Sequence, residues 1–497
     1  MNSYVKGLFG LKILVFLSIS GFSKHKPNII WLMAEDISTD IECYGMQSVK
    51  TPVLNQLAEE GVIFTNAYVT NPICSPSRSA MLVGAYQTKI SAQHHRSNRE
   101  IPLSSPFLPI TKILRDSGYT CILGSKFVMD QGRKIDVNFK TSNIGCWDGV
   151  KHFGLFDKYD DISPADQPFF AQIQLKVTHR GDWWNDIRKN SNHKVNPDSV
   201  VLPPYMADHP VIRLDWAKYL DQIEHMDKEI GSIIHDLKIK GLYDNTVIVF
   251  MSDNGRCNIR GKGYLYQSGI HIPLIIKFPK GGEKGKFRHD LVSSIDLTAT
   301  ILDLAGVSIP EFMDGISILR ENFHRDYILS SRDLWDEILD KSKSIVTKRY
   351  KYIHHYMPDV PFDAGQAYLE FYRPAIHVMR KLKWEKKLKD QELDFFKNKK
   401  PNEELYDLST DPDEIINLAD NVMYNEVLKE LRNQMKKAID EMAYSEAEFA
   451  KENPISIEVI NWLKYRYRKN YNELLDGTEI GYQKYLKLYE NEFNNDF

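Results

Sequence analysis

The sequence predicts an α/β protein: a large, mostly parallel β-sheet sandwiched by helices, followed by a smaller C-terminal α+β domain. Three observations carry the prediction. Continuous apolar runs at Asn28–Met33 (NIIWLM), Thr246–Met251 (TVIVFM) and Leu274–Phe278 suit strands buried on both faces. Helical patterns alternate with them, which is the order expected of a parallel sheet with crossover helices. A chain of 497 residues with 42% hydrophobic composition can bury a large core and favours one big domain plus a smaller one.

The first strand follows Pro27 and stops at Glu35 and Asp36. Residues 51–61 then predict a helix, with Pro52 in its first turn, Leu54, Leu57 and Ala58 on one face, and Gly61 as its stop. Val62–Phe64 resumes an apolar strand. A long helical pattern over 210–237 carries Trp216, Leu220, Ile223, Met226, Ile230 and Ile234 on its apolar face, and leads into the Thr246–Met251 strand and Ser252-Asp253-Asn254. After the third apolar run, residues 293–304 predict a helix closed by Gly306, and the α/β block ends near residue 335. The remainder, 336–497, shows an aromatic and basic strand pattern over 345–353, a charged helical stretch over 374–400 and two further helical patterns.

Residues 1–23 have the layout of a signal peptide: Lys6 and Lys12, an apolar run Ile13–Ile19, then Ser20, Gly21 and Ser23. That run is too short to span a bilayer. The expectation is three segments: signal peptide 1–23, α/β domain 24–335 and C-terminal subdomain 336–497, in an exported protein without stable membrane insertion. The formal net charge of −3, from 64 basic and 67 acidic residues, provides no field for binding nucleic acid. Five cysteines are few for an exported chain of this length and form no Cys-x-x-Cys pair. Their odd number leaves at least one thiol without an intramolecular partner.

Glu35-Asp36 and Asp253-Asn254 end two buried strands, and ligands in such folds gather at the carboxyl ends of strands. Either pair alone would serve as a structural cap. Together they offer hard oxygen donors suited to calcium or magnesium, because carboxylates clustered in a cleft repel one another without a cation.

Cys74-Ser75-Pro76-Ser77-Arg78 resembles the defining signature of the sulfatase family, in which the cysteine is oxidised to formylglycine. PNIIWLMAED (27–36), TPVLNQLAEEGVIFTNAY (51–68), SRSAMLVGAYQT (77–88), SDNG (252–255), GKGYLYQSGIHIPLI (261–275) and ELYDLSTDPDEIINLAD (404–420) resemble sulfatase segments in the family's order. The resemblance implies an alkaline-phosphatase-like fold and one calcium ion held by Glu35, Asp36, Asp253, Asn254 and the modified Cys74. It also implies a formylglycine-generating or sulfatase-maturating enzyme as a partner. The family usually has Asp where Glu35 stands.

By the same resemblance Arg78 steadies the aldehyde hydrate, Lys126 in Gly124-Ser125-Lys126-Phe127 and Lys262 in GKG bind sulfate, and His179 contacts the ester oxygen. Val128 stands where many sulfatases have a proton-transferring histidine, so that task would fall to Ser125, Asp130 or the pair His94–His95. For the substrate, His94, His95, Trp183, Arg332 and Asp333 suggest a sugar-sized pocket, since aromatic faces and charged groups suit carbohydrates. The expected substrate is a sulfated glycan, with bacterial polysaccharide sulfatases the nearest resemblance and the sulfamidase-like branch next. A phosphohydrolase of the same fold would use Ser or Thr as nucleophile, and an inactive glycan-binding relative would fit the departures at Glu35 and Val128.

Overall fold

Fifteen strands account for the architecture of the computed structural model, which describes residues 26–442. The predicted signal peptide and the helical patterns beyond residue 442 lie outside the described residues. β1 (Asn28–Ala34), β2 (Val62–Tyr68) and β3 (Thr120–Leu123) come first; β4 (Ser142–Ile144) and β5 (Gly154–Phe156) form a separate small pair. β6 (Lys158–Tyr159), β7 (Phe169–Leu175), β8 (Thr246–Ser252), β9 (His271–Ile272), β10 (Leu274–Lys277) and β11 (Lys286–Ser293) complete the large sheet. Its order is β11-β2-β10-β8-β1-β7-β3-β6, with β9 added to β2.

The predicted parallel character holds for the centre: β8, β1, β7, β3 and β6 pair parallel, as do β2 and β11. β10 is inserted antiparallel between β8 and β2, and β9 also pairs antiparallel. β1, β7 and β8 are buried along their whole length, so residues of both alternations are apolar or internally bonded. The flanking helices match the periodicity of the sequence closely: Pro52–Glu59, Pro210–Ile239 and Ser294–Leu304. The last begins with Ser293 and Asp296 in a reciprocal capping box.

The second sheet is antiparallel, in the order β12 (Ile328–Trp335), β13 (Ile338–Val346), β14 (Tyr350–His355) and β15 (Glu403–Asp407). It therefore begins at Ile328, ahead of the 335/336 boundary drawn from the sequence. All eight residues of β12 are buried. The strand pattern over 345–353 resolves into the ends of β13 and β14 joined by a turn, in which the Thr347 N–H donates to Tyr350 O at 2.8 Å. The 374–400 pattern is a helix only over Pro374–Trp384 and again over Asp390–Leu393.

Between β14 and β15 the chain runs out through the helices Ala367–Tyr372 and Pro374–Trp384 and packs on the first sheet's core. The helix Asn425–Glu441 covers the second sheet, burying Leu428, Leu431, Met435 and Ala438 against Leu329, Ile345, Tyr352 and Leu405. Among the described residues no helix is long and apolar enough to cross a membrane.

Candidate active site

β1 and β8 lie side by side in parallel register, Ala34 opposite Ser252. The residues that follow, Glu35-Asp36 and Asp253-Asn254, therefore leave the sheet together, and all four are fully buried. Asp36 turns through a left-handed φ of 56°, rare for a residue with a Cβ. That turn lets its N–H donate to Asp253 Oδ1 at 3.3 Å while its carboxylate accepts from Asn254 Nδ2 at 2.9 Å. On the other flank of β1, β7 ends at Leu175 opposite Ala34. One short turn later His179 stands with Nε2 4.0 Å from Asp36 Oδ2.

The nucleophile candidate comes from a third strand. Beyond β2 the chain reaches the helix Cys74–Val83, whose ten residues are all buried, and Cys74 is its first residue. Its Sγ lies 4.0 Å from Asp36 Oδ1. Ser77 Oγ donates to Asp253 O at 2.6 Å. Arg78, one turn along the helix from Cys74, spreads its fork across the floor of the site. Nε donates to Asp253 Oδ2 at 2.9 Å, Nη1 to Gln174 Oε1 at 2.6 Å, and Nη2 lies 3.5 Å from Glu35 Oε1.

Lys262 closes the cluster from above, donating to Asp36 Oδ1 at 2.7 Å and Oδ2 at 3.0 Å. Its neighbour Gly263 has φ of 87°, and a Cβ there would stand 2.0 Å from the Trp335 ring, so only glycine permits this approach of the loop to β12. The Tyr368 ring lies 5.3 Å from the Lys262 ammonium, and the Tyr368 hydroxyl donates to Asp36 Oδ2 at 3.5 Å.

Burial opposes charge on the carboxylates, and the local cations decide the outcome. Lys262 holds Asp36 below its ordinary range against that burial, and Lys134 with Arg78 does the same for Glu35. Asp253 is raised by burial, with Glu35 and Asp36 adding to the effect and Arg78 only partly offsetting it. Burial pushes the Cys74 thiol up to about 12, which keeps it protonated at neutral pH. It also lowers His179 to about 4, helped by Lys262. His179 Nδ1 faces Arg180 O at 3.0 Å; a carbonyl only accepts, so Nδ1 carries the proton and the Nε2 lone pair faces the cluster.

The donor set fits a hard cation. Asp36, Cys74 and Asp253 offer ligand atoms all within 4.8 Å of one another, as do Glu35, Cys74 and His179. Asn254 Oδ1 is buried with no hydrogen-bond donor, and Glu35 Oε1 makes no hydrogen bond, with only Arg78 Nη2 at 3.5 Å beside it. Such acceptors cost about 1–3 kcal/mol each unless something positive meets them. Calcium prefers oxygen ligands of this kind, whereas a cysteine sulfur is soft.

Other predicted residues lie elsewhere. Lys126 is exposed, its ammonium 5.2 Å from the centre of the Phe127 ring beside a cavity of about 300 Å³ that Asp160 and Asp236 also line. The turn at Gly124 (φ 88°), with Ser125 N–H donating to Gln131 O at 2.8 Å, leads into Lys126. Val128 is buried; Ser125 Oγ accepts from the Phe127 N–H, and Asp130 pairs with Lys176. His95 is buried with Nδ1 2.7 Å from Asp336 Oδ1, and His94, half-buried, accepts from Asn138 through its carbonyl. Trp183 donates from its indole nitrogen to Val177 O at 3.0 Å and so anchors the turn that carries His179. Arg332 pairs with Asp340 at 2.8 Å inside the second sheet, and Asp333 is wholly buried in β12.

Four residues at the cluster escaped the sequence reading: Lys134, Asp136, Gln174 and Tyr368. Lys134 Nζ donates to Glu35 Oε2 at 2.6 Å and lies 3.5 Å from Asp136 Oδ2. The strict polar–apolar alternation of Lys134-Ile135-Asp136-Val137-Asn138 is the signal that could have revealed the first two. Gln174 and Tyr368 carry no such mark.

Comparison with known proteins agrees with this geometry. Residues 27–307 match the family described as Sulfatase, and residues 255–363 match N-sulphoglucosamine sulphohydrolase, C-terminal. The chain is 31% identical to an ulvan-active sulfatase of Formosa agariphila, across 83% of this chain and 74% of that one. It is 24% identical to the human N-sulphoglucosamine sulphohydrolase, across 85% and 91% of the two chains. Among solved structures, a 2-O GAG sulfatase superposes with a TM-score of 0.61 at 18% identity, covering 84% of this chain and 93% of that one. With the family model matching more than half of the chain and the candidate nucleophile, cations and oxygen donors gathered at the carboxyl ends of the central strands, the chain belongs to the sulfatase family.

Proposed function

We propose that this sulfatase removes sulfate from a sulfated polysaccharide, using residue 74 as formylglycine beside one calcium ion. The observation that carries the reading is the convergence of Cys74, Arg78, His179 and Lys262 with four oxygen-donor residues at the ends of β1 and β8. The polysaccharide follows from the relatives, one of which is described as ulvan-active.

Glu35, Asp36, Asp253 and Asn254 would hold the ion, which would supply positive charge beside the nucleophile. Formylglycine, once hydrated, would supply an oxygen nucleophile and would allow sulfate to leave by collapse to the aldehyde. The chain's own groups do the rest. Arg78 and Lys262 fix the two aspartates, Lys262 presents an ammonium next to Cys74, and His179 turns a lone pair toward the same point as a proton acceptor. Export after removal of residues 1–23, and a maturation enzyme acting on Cys74, belong to this reading.

The test is expression of the chain with and without a formylglycine-generating enzyme, followed by sulfate release from a panel of defined sulfated oligosaccharides. Mass spectrometry of the peptide holding residues 74–78 should show conversion rising in step with turnover. Full activity with an unmodified cysteine, or faster release of phosphate from matched phosphate esters, would refute it.

A further inference from the structure

The second sulfate-facing lysine expected from the sequence, Lys126, is exposed beside the Asp160–Asp236 cavity, yet another lysine, Lys134, reaches the cluster at Glu35 as Lys262 reaches it at Asp36. Three consecutive left-handed residues, Asp130 (φ 49°), Gln131 (57°) and Gly132 (61°), reverse the chain after Val128 and bring residues 134–138 alongside the nucleophile helix. The segment is stitched there. Asn138 N–H donates to Ser79 Oγ at 2.8 Å, its amide to Ala92 O at 2.8 Å and His94 O at 2.7 Å, and Arg78 Nη1 to Ile135 O at 3.5 Å. Along this segment Ile135 and Val137 are buried in the core, while Lys134 and Asp136 pair with each other and Lys134 reaches Glu35.

We propose that Lys134 is a catalytic residue that contacts the sulfuryl group together with Lys262, and that Asp136 is its positioning residue; this rests on the sulfatase reading above. Three observations support the assignment. The Lys134 side chain is 24% exposed against 3% for Lys262, so it is the cation a substrate can reach. Its ammonium is held from two directions, by Glu35 Oε2 at 2.6 Å and Asp136 Oδ2 at 3.5 Å, which fixes it without long-range freedom. Asp136 itself adopts a left-handed φ of 53° and also pairs with Arg99, with Arg96 Nε 3.9 Å away. Strain retained at a site-facing residue marks a position that the surrounding structure over-determines. A sulfuryl group in transfer spreads negative charge over its oxygens, and two fixed cations stabilise that distribution better than one.

The experiment uses the full chain with converted Cys74 and compares Lys134→Ala, Lys134→Gln, Lys134→Arg, Lys126→Ala, Asp136→Asn and Asp136→Glu. Steady-state desulfation is measured on a saccharide the wild type accepts, and binding of inorganic sulfate is measured by calorimetry. Lys134→Gln, which keeps a donor toward Glu35 if Lys134→Ala fails to fold, should lose about a hundredfold or more in kcat/KM. Its affinity for inorganic sulfate should fall about tenfold, the loss expected for one charged hydrogen bond. Lys134→Arg should recover part of both, and Lys126→Ala should stay within about twofold of wild type, as for other surface changes. Asp136→Asn should lower kcat more than it raises KM, with Asp136→Glu recovering part. The proposal is overturned if Lys134→Gln keeps near wild-type kcat/KM or if Lys126→Ala loses as much. A wild type that releases no sulfate but binds inorganic sulfate through Lys134 would sink the functional reading and with it the catalytic role, leaving Lys134 as a sulfate-binding residue only.

Discussion

Replacing Arg78 by methionine removes one charge from the most enclosed ion cluster of the site. The guanidinium is 2% exposed, its Nη2 lies 2.8 Å from Asp253 and 3.5 Å from Glu35, and both carboxylates have no exposure at all. Glu35 keeps a second cation, Lys134, at 2.6 Å. Asp253 keeps none at that range and is left as a buried carboxylate with two like neighbours, Glu35 and Asp36. Breaking a buried pair in this way costs about 3–5 kcal/mol. For residues 26–442 unfolding as one unit, an entropy of about 2.1 cal/mol/K per residue gives about 0.9 kcal/mol per degree, so Tm should fall by about 3–6 °C. The assay is calorimetry in a chelating buffer, so that metal content does not vary between samples. Arg78→Met combined with Asp253→Asn should then be more stable than the sum of the single losses predicts, by about 2–3 kcal/mol. A single-variant loss below about 1 °C, or strict additivity in the double variant, would refute the pairing on which the site rests.

Chelation should abolish turnover and lower Tm, with calcium at about a hundred times its Kd restoring about 2.7 kcal/mol; Asp253→Ala should abolish turnover and remove that calcium dependence, as read by calorimetry with and without the ion. Val128→His should bring no rate gain of the hundredfold kind a restored proton shuttle gives, because Val128 is buried and packed against Gly132. It should instead cost about 1–3 kcal/mol for a buried imidazole with no partner, measured by urea unfolding. Lys277 is buried and donates to Tyr243 O and Thr246 O, and burial lowers it to about 8 from 10.5. Its folded value lies below the unfolded one, so the unfolded chain binds more protons between those values and stability rises with pH across that window. Comparing Lys277→Met with wild type between pH 7.5 and 10.5 should show about 3 kcal/mol less rise in the variant.

The central strands and the two acidic pairs were legible because fully buried runs such as NIIWLM and TVIVFM have one simple cause, and chemistry placed at their ends is unambiguous in position. Strand direction was not legible. LIIK in β10 is equally apolar in either orientation, and only the Met251–Leu274 pairing shows it to run antiparallel. Lys134 exposes a different limit, since the three left-handed residues that precede it and bring its segment to the site include Asp and Gln, which carry no glycine-like signal. Arg332 and Asp333 were read as sugar contacts because charged residues next to an aromatic suit carbohydrate. In β12 Arg332 is polar for an internal reason, its pair with Asp340, as His95 is for Asp336, while Asp333 is wholly buried.

The order in which the chain is made bears on the buried nucleophile. Cys74 lies in the first sixth of the sequence, whereas the residues that brace the Lys262 loop over it, Trp335, Tyr368 and Arg373, are translated far later. Once they are in place, Cys74 is 3% exposed and its helix offers no accessible face. An enzyme that modifies this residue would find it accessible only before the second sheet docks. Slowing the emergence of residues 328–442 would lengthen that interval, and a faster-folding C-terminal part would shorten it.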